Sequence, residues 1–141
     1  MRHAARPGLH RWLLLTVAAM ILSGFAAGCS SSKPAYCTAA SQLKTSVQNL
    51  DHVDVAKDGL SSLQTALSSV STNAKTLASE AKSAFAPQIT ALNNSLSGLD
   101  TAIKAAKGQP SLTAAKAVAS SVTQVKSSAS DLENAASGKC Q

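Results

Sequence analysis

From Tyr36 onward, apolar side chains return every three or four residues, and this spacing constrains the fold more than any other feature of the chain. Residues at alternating steps of three and four stay on one face of an α-helix, and such stripes are buried by packing helix against helix. The first run is Tyr36, Ala40, Leu43, Val47 and Leu50. The second is Val53, Ala56, Leu60, Leu63, Leu67, Val70, Ala74, Leu77, Ala81 and Ala84. Phe85, Ile89, Leu92, Leu96, Leu99, Ile103 and Ala106 form a third, and Ala115, Val118, Val122, Val125, Ala129, Leu132 and Ala136 a fourth. Ser, Thr, Lys, Gln and Ala fill most of the other positions. The expected fold is all-α: an antiparallel helical bundle over residues 36–141, with a short first helix and two or three longer heptad-patterned ones.

Breakers set the boundaries. Asn49, Asp51, His52 and Asp54 are weak helix formers in a cluster, and Asp54 with Asp58 suits the positive start of a second helix. Gly108-Gln109-Pro110 ends the third run, and Ser111 is a candidate cap for the fourth. Pro87 fits either the first turn of a new helix or a kink in one long helix.

The first residues have a different composition. Arg2, Arg6 and Arg11 precede a run from Trp12 to Gly28 with no charged residue, which is the layout of an export signal. Ala26-Ala27-Gly28-Cys29 resembles the lipobox of bacterial lipoproteins, with Ala26 where leucine is usual. The resemblance implies a signal peptide over 1–28, a diacylglyceryl group on the Cys29 thiol, and anchorage to the membrane. An ordinary cleaved signal and an uncleaved anchor share the layout, and all three place the remainder outside the cytoplasm. Residues 29–35, including Ser30-Ser31-Ser32-Lys33-Pro34, read as a short tether. Tyr36-Cys37, Leu43 to Val47, Val53 to Val55, Gly59-Leu60 and Pro87-Gln88 are similar to a group of Ala- and Ser-rich actinobacterial exported helical proteins. That likeness implies location and fold and carries no catalytic residue.

Once Cys29 is set aside, Cys37 and Cys140 remain, one at each end of the helical region. In an oxidising compartment such a pair reads first as a disulfide, with two unpaired thiols as the alternative. Helix lengths bear on the choice. Four segments of roughly 15, 31, 21 and 26 residues, stacked up and down, leave the cysteines about 31 Å apart along the axis. One kinked helix across Pro87 leaves about 20 Å, which the last residues nearly cover.

The basic balance comes largely from the signal. The chain holds 13 basic and 7 acidic side chains, and removing the three arginines leaves ten lysines against those acids. The lysines are scattered without aromatic neighbours, so no nucleic-acid partner is expected. Asp51, His52, Asp54 and Asp58 form the one polar cluster worth weighing as a metal site, but they lack a recognised ligand spacing and read better as a turn and a cap. No nucleophile elbow, phosphate loop or Cys-x-x-Cys pair occurs, and Ser41 with Lys44 or Thr72 with Lys75 lack companion motifs. The expected role is therefore non-enzymatic, with no cofactor and no metal. The leading reading is a membrane-anchored binding or interaction module whose partner is an envelope protein or a second copy. A carrier of a small apolar ligand or lipid between helices, and a structural envelope spacer, are the alternatives.

Overall fold

The heptad runs form four helices: α1 (Ala35–Asp51), α2 (Val55–Ala81), α3 (Ala86–Gly108) and α4 (Leu112–Ser137). These come from a computed structural model that describes residues 33–141. The expected signal over 1–28, the expected acylation site Cys29 and the serines of the tether lie outside the described residues. Each helix packs on its two neighbours, and α1 against α4 closes the ring, so the fold is an antiparallel four-helix bundle. Among the described residues, no helix is long and apolar enough to cross a membrane.

The capping chemistry follows the residue types. Asp54 accepts bonds from the amides of Ala56 and Lys57 at 3.0 and 3.3 Å, while the Asp58 carboxylate accepts the Asp54 amide at 3.1 Å. Ser111 caps α4 by accepting the Ala114 amide at 3.1 Å. Pro87 is in the first turn of α3, where its missing amide hydrogen costs no helical bond, so it begins a new helix and does not kink an old one. On the long Ser- and Thr-rich faces, hydroxyls such as those of Thr65, Thr72 and Thr101 donate to the carbonyl four residues back, so the helices hold through their buried stripes and not through these side chains.

All seven positions of the third run are buried, as are Leu63, Leu67, Val70, Ala74, Leu77 and Ala81 of the second. Val118, Val125, Ala129, Leu132 and Ala136 complete the seam from α4. Each large side chain taken fully out of water contributes about 1.5–3 kcal/mol before the cost of ordering it. Some expected core positions differ. Tyr36, Ala40, Val53, Leu60 and Val122 are half-buried, and Ala56, Ala84 and Ala115 are exposed. In α1, Cys37, Ala39 and Ser46 are buried although the spacing left them out. Ser46 is tolerated because its hydroxyl donates to the Leu43 carbonyl at 2.8 Å.

The sulfurs of Cys37 and Cys140 are joined, with 5.7 Å between their alpha carbons. The wide separation expected for four helices is thus corrected, for two reasons. The residues from Lys82 to Phe85 form the turn before α3, and Gly59 breaks the helical path within α2 at φ 76 and ψ 170. The straight part of α2 begins only at Leu60, so the axial mismatch falls to about 12 Å at 1.5 Å of rise per residue, which Gly138 to Cys140 and the turns absorb.

Candidate functional site

The two ends of the bundle are built differently. At the disulfide end, Phe85 is fully buried between the α2–α3 turn and the first turn of α1, and Tyr36 meets it edge-on with ring centres 5.4 Å apart. These are the two aromatic side chains among the described residues, and together they plug that end.

The opposite end has no such plug. Asp51, the last residue of α1, pairs with Lys126 at 2.8 Å, and Lys44 pairs with Glu133. This antiparallel register brings the end of α1 level with the middle of α4. The half of α4 from Leu112 to Val125 therefore continues past the end of α1, along with the start of α2 and the end of α3. The space that a longer α1 would fill is partly covered by the connection through Val53 and by the first turn of α2, which Gly59 sets at an angle to the rest of the helix.

What remains is an apolar cleft of 470 Å³, floored by Leu50, Leu60, Leu63 and Val118 and walled by Ala119 and Val122. That volume is within the ~300–1,000 Å³ range of small-molecule sites. Its polar lining residues are Asp51, Ser111 and Thr123, and each is already engaged: Asp51 with Lys126, Ser111 as the α4 cap, and Thr123 donating to the Ala119 carbonyl at 3.1 Å. Near the cleft, Val55 and Leu112 leave 37% and 84% of their surface in water, and they are the large apolar side chains most exposed among the described residues.

Two other hollows differ in chemistry. One of 480 Å³ between α2 and α3 is lined by Gln64, Ser68, Ser71, Asn93 and Asp100, a solvated seam suited to water. A smaller one of 240 Å³ lies between α1 and α4, where the two ion pairs flank it with charge. A carrier of an apolar ligand would need a hollow among Leu92, Leu96, Val118 and Val122; Val118 and Val122 line the apolar cleft with Leu50 and Leu60, whereas Leu92 is buried in the seam and Leu96 borders the polar hollow between α2 and α3.

The polar cluster seen in the sequence is spread over separate structural tasks. Asp51 makes an inter-helix ion pair, His52 closes α1 as its C-terminal cap, and Asp54 with Asp58 begins α2. Among the described residues, no three His, Cys, Asp or Glu side chains converge as metal ligands. Cys37 and Cys140 come together, whereas Cys29 lies outside the described residues. Sequence reading missed the cleft, for which the one available signal was the early breaker cluster that keeps α1 short.

Fold and cleft together define a class: a disulfide-closed antiparallel helical bundle with one hollow apolar end. No protein-family model matches the chain, and no match is found among curated proteins or solved structures.

Proposed function

We propose that this protein is a lipid-anchored, extracytoplasmic binding module of the cell envelope that works without catalysis. The observation that carries the reading is the apolar cleft at the end of the bundle opposite Cys37. A chain of eight residue steps links Cys29 to Cys37 and spans at most about 28 Å. An acyl group on Cys29 would therefore hold the disulfide end toward the membrane and turn the cleft, with Leu112, away from it. An exposed leucine beside an apolar hollow is the kind of surface that binding partners cover.

A photo-crosslinking amino acid at Leu112, introduced in cells making the intact protein, tests this reading. The expected result is a discrete crosslinked product that is absent when the same group replaces Glu80. Equal labelling from both positions, or none from Leu112, would contradict it.

A further inference from the structure

We propose that the cleft takes the hydrocarbon tail of a long-chain carboxylate, with the carboxylate held at the mouth by Lys116. The proposal rests on reading the cleft as the binding element of the module and adds the class of its ligand. Three observations carry it. The first is the hydrogen-bond inventory: Asp51, Ser111 and Thr123, the polar side chains of the lining, each already hold a bond within the chain, and the rest of the lining is apolar. A peptide or sugar entering the cleft would give up bonds to water and find few groups to replace them, whereas a methylene chain gives up none.

The second is shape and surface. The 470 Å³ hollow replaces part of one helix's apolar stripe, and its walls are aliphatic, with Leu50, Leu60, Leu63, Val118 and Val122 converging from α1, α2 and α4. No aromatic side chain is present to stack on a ring. Such walls suit a narrow flexible chain better than a flat polycyclic molecule.

The third is charge at the rim. Of the acids of this end, Asp51 is paired with Lys126 and Asp54 with Lys57 at 3.7 Å, while Asp58 accepts the amide of Asp54. Lys116 has no ion-pair partner among the described residues. It is exposed on α4, two turns before Thr123 and on the same stripe, so it flanks the apolar wall. The charge that Lys116 adds to the rim is positive, which complements a carboxylate and is indifferent to a neutral lipid.

The test uses the full chain as produced in the cell, extracted from its membranes, stripped of bound lipid and held in amphipol. cis-Parinaric acid is the probe, and oleate and oleyl alcohol are the competitors. Saturable probe fluorescence is expected, with oleate displacing it at lower concentration than the alcohol. Ala119→Phe, at an exposed helix position on the cleft wall, fills the hollow without disturbing the seam and is expected to raise the dissociation constant roughly tenfold or more. Lys116→Glu is expected to weaken oleate by about two- to fivefold and leave oleyl alcohol unchanged. Circular dichroism confirms that both variants fold. Absence of saturable binding, or an Ala119→Phe protein that binds as the parent does, overturns the proposal; a Lys116→Glu protein with unchanged preference overturns the headgroup assignment. The crosslink from Leu112 is read separately, so a protein partner without fatty-acid binding defeats this inference and leaves the module reading standing.

Discussion

Asp51 at the end of α1 meets Lys126 in the middle of α4 across 2.8 Å, and this pair marks the level at which the bundle passes from four helices to three. One heptad back along α1 and one forward along α4, Lys44 meets Glu133 in the same register. The register places the cleft, but the pairs contribute little energy. Lys126 and Asp51 keep 47% and 40% of their side-chain surface in water, so solvent screens them. A double-mutant cycle of Asp51→Ala and Lys126→Ala, followed by urea unfolding, is expected to give a coupling of at most about 1 kcal/mol.

The covalent link contributes more. Cys37 and Cys140 enclose almost the whole bundle, with a sequence separation of 103. Chain-entropy reasoning gives about 4.7 kcal/mol for a loop near 100 residues, and removing native bridges from small domains costs about 2–5 kcal/mol. Cys37→Ser with Cys140→Ser is therefore expected to lower unfolding free energy by about that range in denaturant titrations. Reductant should lower the stability of the parent to a similar level and leave the double variant unchanged.

Two backbone positions respond in opposite directions to glycine chemistry. Gly59 has φ 76 and ψ 170, a region almost reserved for glycine, so Gly59→Ala is expected to cost about 1–3 kcal/mol although the space around it is open. Lys82 has φ 51 and ψ −115 at the first central place of the turn closed by the Ala84 amide on the Ala81 carbonyl at 3.0 Å. Turns with a positive φ there favour glycine, and Lys82→Gly is expected to stabilise by about 0.5–1 kcal/mol in thermal unfolding.

How far the residues foretold this arrangement depends on how local the cause is. The α3 stripe was legible in full, because seven heptad positions with no interruption have one way to be buried. Asp54 and Ser111 were legible as caps, since each needs only the amides two or three residues ahead. Ala39 and Ser46 were not, because each stands one residue before a position of the stripe, Ala40 or Val47, and α1 buries a face wider than that stripe. Ala56 and Ala115 belong to apolar runs yet stay exposed, because both stand where α1 has already ended. The cleft itself is a difference in length between α1 and α4, fixed by the inter-helix register, and no single stretch of sequence encodes it. Gly59 gave no sign in the apolar spacing, which runs through the break unchanged.

If, as proposed, the chain is exported, held by acyl groups on Cys29 and closed between Cys37 and Cys140, intact-mass analysis of the membrane-fraction protein reads all three at once. The predicted spectrum is that of a chain beginning at Cys29, heavier by a diacylglyceryl group and lighter by two hydrogens that reduction restores. A cytosolic product that still begins at Met1, with no added lipid and both thiols free, would contradict it.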